Sequence, residues 1–245
     1  MKQILSKLLI LMALVSTVNF AFGQDSGSYK NQVKINVAAL ALKNFSFQYQ
    51  RAVTGKIAVG LSLRTAPKST LPFQGSIESL IDDADAYNSI KNFKTGNFSI
   101  TPEVRFYFGE SVFKGFYVAP FASYSTYNAS GPFTFSSSAG KLDMPLSGDI
   151  KTVTGGIFIG SQFNLTSRIG LDIYIGPNYG SLDGTVSGNR TLNADEQNGL
   201  RDGLSDLDDI PMIKSTYTVN GNGATLDLKG NWPGLRGGIA VAFKF

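Results

Sequence analysis

The sequence predicts an all-β protein, an eight-stranded antiparallel up-and-down transmembrane β-barrel with long external loops. Three observations predict it. Short segments of strict apolar–polar alternation recur, the period of strands whose two faces meet different surroundings. The connectors switch between tight turns and long polar excursions, as expected when one rim carries turns and the other carries loops. Charges in mid-strand fall on the face opposite the bulky apolar residues.

Composition narrows the function. Of 245 residues 16% are charged, 42% are hydrophobic and 27 are glycine, whereas an ordinary soluble domain is about a quarter charged and about 7% glycine. The chain is charge-poor and glycine-rich without being low in complexity. It has no cysteine and no histidine. That excludes disulfides, zinc sites and haem ligation built on those residues, and any triad with a histidine base.

The elements follow in chain order. Lys2 and Lys7, an apolar stretch from Leu8 to about Val18, and Ala21-Phe22-Gly23 before Gln24 read as a signal peptide over residues 1–23. Small residues three places and one place before the cut suit cleavage after Gly23. The apolar core is shorter than the roughly 20 residues of a spanning helix, and no cysteine follows for lipid attachment. Residues 24–245 are then the exported barrel. Loss of Lys2 and Lys7 lowers the formal charge from +4 to +2, and the remaining basic residues are scattered, so no nucleic-acid partner is expected.

Eight strands are expected. Val33 to Leu42 and Asn44 to Arg51 are the two weaker ones, joined by a short connector near Lys43-Asn44. Ile57, Val59, Leu61 and Leu63 then oppose Ala58, Gly60, Ser62 and Arg64. In the clearest segment, Phe98, Ile100, Pro102, Val104, Phe106 and Phe108 oppose Ser99, Thr101, Glu103, Arg105 and Tyr107. Gly115 to about Tyr127 and Val153 to Phe163 continue the series. Ile169, Leu171, Ile173 and Ile175 oppose Gly170, Asp172, Tyr174 and Gly176, and Ile239, Val241, Phe243 and Phe245 oppose Gly238, Ala240, Ala242 and Lys244. Tight turns lie near Thr54-Gly55, Gly109 to Lys114 and Thr166-Ser167; long excursions run from about Pro67 to Gly96, Asn128 to Ile150 and Gly180 to Trp232.

Alternation alone suits either solvent, since a barrel in water turns its large apolar residues inward and one in lipid turns them outward. The polar face decides. Arg64, Glu103, Arg105, Asp172 and Lys244 lie on it among glycines and alanines. Each such charge would cost roughly 2–4 kcal/mol facing hydrocarbon near the midplane, while an eight-stranded interior is just wide enough to be filled by side chains. The apolar face therefore meets lipid. Aromatic residues should then mark both ends of the band. Phe98, Tyr124, Tyr179 and Trp232 fall at the loop rim and Phe106, Phe108, Phe116, Phe163 and Phe243 at the turn rim, with Phe45 and Tyr49 too close together to mark both ends of the second strand.

With its meander of eight strands and its ending in alternating Ile239, Val241, Phe243 and Phe245, the exported chain resembles the small bacterial outer-membrane barrels of the OmpA-transmembrane-domain and OmpX type. The segment Asn44 to Arg51 resembles the second strand of small barrels from Bacteroidetes-type bacteria. The resemblance implies that the turn rim faces the periplasm and the loops face outside. It also implies that the last strand, with Phe245 as insertion signal, is recognised by the barrel-assembly machinery. Enzymes exist among such barrels, namely lipid-A acyltransferases and deacylases and a protease family, but their usual mechanisms rely on a histidine that this chain lacks.

The candidate chemistry is modest. Arg64, Glu103, Arg105, Asp172, Arg236 and Lys244 form a lumen cluster, read as a salt-bridged plug in preference to a selective pore. Glu103 and Asp172 are poor hydrolytic carboxylates because such groups must flank a substrate cleft. Asp195, Glu196, Asp202, Asp206, Asp208 and Asp209 could collect Ca²⁺, but Leu200, Leu204 and Leu207 recur at helical spacing, so a solvated helix face is preferred and no metal or cofactor is expected. Ile77, Leu80, Ile81, Ala84 and Tyr87 outline a short amphipathic helix. Tyr124, Tyr127, Phe133 and Phe135 are read as rim residues before an adhesive patch. The expected function is a non-enzymatic outer-membrane barrel whose partners are outer-membrane lipid, the assembly machinery and an extracellular ligand or envelope protein. Its loops would serve surface interaction or adhesion and its barrel envelope integrity. A narrow transport pore, an accessory subunit of a secretion or assembly complex, and a secreted soluble barrel with a hydrophobic ligand are the alternatives.

Overall fold

The computed structural model describes residues 29–70, 91–138, 140–205 and 212–245. The signal peptide, the helix outlined by Ile77 to Tyr87, and Asp206, Leu207, Asp208 and Asp209 lie outside them. The barrel strands are β1 (Asn31–Asn36), β2 (Phe45–Ala52), β3 (Ile57–Thr70), β4 (Lys94–Tyr107), β5 (Gly115–Ser137), β6 (Gly140–Asn164), β7 (Ile169–Asn189) and β10 (Gly234–Lys244). Each of β1 to β7 pairs antiparallel with the next, and β10 joins β7 to β1 and closes the ring. A hairpin of β8 (Ile213–Asn220) and β9 (Gly223–Asn231) is inserted before β10, with β9 paired to the upper half of β7.

Two of the three turns use one device. Thr54 Oγ1 accepts from the amides of Lys56 and Ile57 (3.2 and 3.0 Å), and Thr166 Oγ1 accepts from those of Arg168 and Ile169 (3.3 and 2.9 Å), so a threonine closes the β2–β3 and β6–β7 turns locally. The β4–β5 turn differs. Phe113 holds a left-handed φ of 65° and is buried beneath the lumen, where burial of the ring offsets the backbone strain. The first and last strands meet at this rim, as Asn31 and Phe245 exchange both backbone hydrogen bonds.

The faces of the strands are inverted relative to a barrel stable in water. On β4, Ser99, Thr101, Glu103, Arg105 and Tyr107 are buried, while Phe98 (45%) and Phe106 (41%) remain exposed. On β10, Ala240, Ala242 and Lys244 are buried and Ile239, Val241 and Phe243 exposed, and on β7 Asp172 is buried while Ile173 and Ile175 are exposed. Inward glycines make the room. A Cβ on Gly160 would sit 2.5 Å from the Tyr117 hydroxyl, and one on Gly60 would sit 2.9 and 3.2 Å from the Gln50 and Glu103 side chains.

Three expectations are corrected. The first strand stops at Asn36 instead of running to Leu42, because the alternation gives way to Val37-Ala38-Ala39-Leu40-Ala41. The Asn36 side chain accepts from the Ala39 amide at 3.0 Å and caps the short helix α1 (Val37–Ala41). The excursion from Asn128 to Ile150 is strand, not loop: β5 and β6 stay paired up to Ser137 and Gly140. The last excursion is also ordered, into α2 (Ala194–Ser205) and the β8–β9 hairpin. Together the upper parts of β5, β6 and β7 with β9 and β8 make a sheet that rises above the barrel. Leu200 and Leu204 of α2 are buried against Phe135, Met144, Leu192 and Val219. Phe133 and Phe135, read as rim residues, belong to this second core.

Candidate functional site in the lumen

Three levels fill the lumen. At the turn end, Ala58, Tyr107, Phe113, Tyr117, Ala119, Phe121 and Phe158 form an aromatic floor, with Phe121 and Phe158 stacked at 3.9 Å. Lys244 lies beside this end, and its Nζ donates to Asn164 Oδ1 at 2.7 Å.

Above the floor sits a compact ion network. Asp172 Oδ2 accepts from Lys34 Nζ and from Arg105 Nη1, both at 2.7 Å, and its Oδ1 accepts from the Tyr117 hydroxyl at 2.9 Å. Arg105 Nε donates to Glu103, which also accepts from Gln50 Nε2 at 2.7 Å. The guanidinium lies 4.2 Å over the Tyr117 ring, a cation–π contact on top of its ion pairs. Gln32, Gln50 and Gln162 complete the layer: Gln32 donates to Gln50, Gln162 Nε2 donates to Gln32 Oε1 at 2.8 Å, and Gln162 Oε1 accepts from Tyr107 at 3.1 Å. Arg105 and Asp172 are 1% and 0% exposed. Buried charges persist only when paired and hydrogen-bonded, and here two cations face two carboxylates with the remaining donors and acceptors satisfied by amides and phenols. The layer is charge-balanced.

The third level is the mouth. Arg236 Nη1 donates to Thr101 Oγ1 and Ser123 Oγ at 3.0 and 2.8 Å. Arg64 Nη2 donates to Ser99 Oγ at 3.2 Å, with the Tyr127 hydroxyl at 3.5 Å. Both arginines line two cavities of about 250 and 210 Å³, the first reached past α1 and the second past Trp232. A larger cavity of about 460 Å³ lies on the raised sheet, where Lys68 and Lys151 are mixed with Asp149 and Asp183.

The six residues expected to form one plug are thus divided. Glu103, Arg105 and Asp172 are brought together; Arg64 and Arg236 stand above them without an ion pair to any carboxylate among the described residues; and Lys244 is apart at the turn end. Lys34, Gln32, Gln50 and Gln162 were missed, although Gln32, Lys34 and Asn36 alternate with Val33 and Ile35 and so carried the same signal. Of the aromatic residues assigned to the rims, Phe98, Phe106, Phe108, Phe116, Tyr124, Tyr179 and Phe243 are exposed and Phe163 is half-buried on the same outward face. Trp232 is the correction. It lies just before β10, lines the mouth, and its ring stands 5.9 Å from that of Tyr127.

On the raised sheet, Asp195 and Glu196 serve the start of α2. Asn193 Oδ1 accepts from the Glu196 amide and Glu196 Oε2 from the Asn193 amide, at 2.9 and 2.8 Å, a reciprocal capping box. Asp195 Oδ2 accepts from both the amide and the hydroxyl of Ser138 at 2.9 and 2.7 Å. These two donors hold its carboxyl below the ordinary carboxylate range.

Among solved structures the chain is similar to CarO of Acinetobacter baumannii, with 9% identity, a TM-score of 0.43, and 91% of this chain and 100% of that chain covered. It is also similar to a major outer membrane protein from Thermus thermophilus, with 14% identity, a TM-score of 0.42, and coverage of 89% and 98%. No curated protein matches the chain. One family model spans most of it, from residue 8 to residue 186, and the chain accordingly belongs to the DUF3575 family, described as a protein of unknown function.

Proposed function

We propose that this protein is an outer-membrane barrel that is closed by its ion network and acts through the raised sheet and loops at the cell surface, without catalysis and without conduction. The carrying observation is the outward apolar band and its sharp upper edge. On β6, Val153, Ile157 and Ile159 face outward and exposed, and the next outward residues above are Lys151 and Asp149. On β7 the band runs from Ile169 through Ile173 and Ile175 to Tyr179, and Asp183 follows. The stretch from Val153 to Phe163 rises about 3.3 Å per residue. With a strand tilt of about 40° it covers about 25 Å, the height of a lipid-facing band in such barrels. A belt of this kind around a monomer in water would exceed the few hundred Å² of contiguous apolar surface that soluble proteins leave open.

The paired lumen supports closure over conduction, and the buried Glu103 and Asp172 carboxylates are already engaged by Arg105, Lys34, Gln50 and Tyr117. Surface interaction is supported by the raised sheet, whose strand order ends at β8. Envelope integrity would be the contribution of the closed barrel, and Phe245 at the β1–β10 seam would be read by the assembly machinery during insertion. The test is gel migration of detergent-extracted protein together with planar-bilayer recording. We expect faster migration until the sample is boiled and no discrete conductance steps. Recovery in the soluble fraction with unchanged migration would reject the membrane reading, and stable single-channel steps would reject closure.

A further inference from the structure

The mouth holds two arginines, Arg64 and Arg236, on the walls of the same two cavities. Their partners are hydroxyls: Ser99, Thr101, Ser123 and Tyr127. Arg64 Nε is buried without a hydrogen-bond partner. Glu103 reaches one of the cavities but is already engaged by Arg105 and Gln50. Below, the ion network is balanced, with Lys34 and Arg105 against Glu103 and Asp172, so it offers the mouth no spare negative charge. The walls therefore present two positive charges and a ladder of hydroxyls, in which Ser99 donates to Ser125 and Thr101 bonds Ser123 at 2.7 and 2.9 Å. A cation would be repelled, and a neutral solute would leave both charges uncompensated. The planar forks of two guanidinium groups match an oxyanion.

We propose that the lumen mouth binds a small oxyanion, a carboxylate or phosphate group, between Arg64 and Arg236, entering from the loop side and stopped below by the ion network. The cavity volumes limit the ligand to a small acid or a terminal acidic group of something larger. Trp232, the single tryptophan of the chain, lines one of the two cavities and reports on occupancy. The proposal rests on the lumen alone, so its failure leaves the membrane reading standing, and failure of the membrane reading leaves it testable.

The experiment titrates the refolded full-length exported chain in detergent with inorganic phosphate and, separately, with succinate, at constant ionic strength set by sodium chloride, reading Trp232 emission. A saturable change with a Kd of about 1 mM or tighter is expected for one or both anions. Saturation by phosphate alone identifies a phosphate group, and by succinate alone a carboxylate. Arg64→Gln and Arg236→Gln should each weaken it about tenfold or more, while Lys56→Gln, at the opposite rim, should not. Arg236→Lys, which keeps the charge and loses the fork, should fall between. No saturable response of the unmodified chain to either anion overturns the proposal, whatever the variants do. So does an equal response in Arg64→Gln and Arg236→Gln variants that still migrate as folded barrels.

Discussion

Asp172 is the residue on which the lumen turns, because both Lys34 and Arg105 donate to one of its oxygens and Tyr117 to the other. Asp172→Asn would leave two cations buried around a neutral amide, and breaking a buried ion network from one side costs about 3–5 kcal/mol. Glu103→Gln should cost less, about 1–3 kcal/mol, because Arg105 keeps Asp172. Lys244→Gln should cost about 1 kcal/mol or less, since its partner Asn164 is neutral. Urea titration of the three variants in detergent tests that order, and an Asp172→Asn midpoint equal to that of Lys244→Gln would show that the network does not hold the barrel. A different residue tests space instead of charge. A Cβ on Gly160 meets the Tyr117 hydroxyl at 2.5 Å and the Ile173 carbonyl at 2.8 Å, so Gly160→Ala should destabilise by about 1–3 kcal/mol through overpacking, read in the same titration. These roles were only partly legible. The period of two put Glu103, Arg105 and Asp172 on one face, but which charge meets which depends on the stagger of strands far apart in sequence. Lys34 and Asp172 are 138 residues apart, and no local pattern links them.

At the scale of elements, the same period succeeds inside the apolar band and fails above it. Along β6, Val153 to Phe163 alternates in hydropathy, whereas from Gly140 to Thr152 alternation persists in burial while the outward residues turn polar. The upper strand therefore looks like loop in sequence although it is paired throughout. Its inward side explains the helix that covers it. The leucine spacing at Leu200 and Leu204 does mark α2, and the packing of those residues on Phe135 and Met144 belongs to the raised sheet, not to the lumen. Leu200→Ala should cost about 2–5 kcal/mol locally. Protease cleavage within α2 should rise while gel migration of the barrel stays unchanged. If the variant lost the folded migration, the two cores would be one cooperative unit. The contact of Ser138 with Asp195 adds a pH dependence. Because its donors lower the carboxyl's pKa in the folded state, the contact contributes above the ordinary aspartate value of about 4 and is lost as pH falls below it. Protection of the Ser138 amide from hydrogen exchange, taken relative to its intrinsic rate at each pH, should fall below about pH 4 in the unmodified chain and be low at every pH in Asp195→Ala.

At the scale of the whole molecule the proposed membrane barrel has a direction, which the absence of cysteine makes measurable. The rim with the three turns and the Asn31–Phe245 seam is compact, while α1, the raised sheet and the mouth cavities all lie at the other end. A barrel inserting with its bulky, polar end leading would have to drag those residues through hydrocarbon, where each exposed charge costs roughly 2–4 kcal/mol and each unpaired backbone polar group several more. The short rim needs no such passage, so the turns should remain on the inner side and the sheet should stand outside. A thiol placed at Asn222 in the β8–β9 turn, or at Ser167 in the β6–β7 turn, is the sole cysteine of its variant, and both side chains are exposed. A membrane-impermeant maleimide should label Asn222→Cys on intact cells and Ser167→Cys only after the outer membrane is permeabilised. Labelling of Ser167→Cys alone on intact cells would invert the barrel and place the arginine mouth on the inner side. Equal labelling of both would mean that no bilayer separates the two rims.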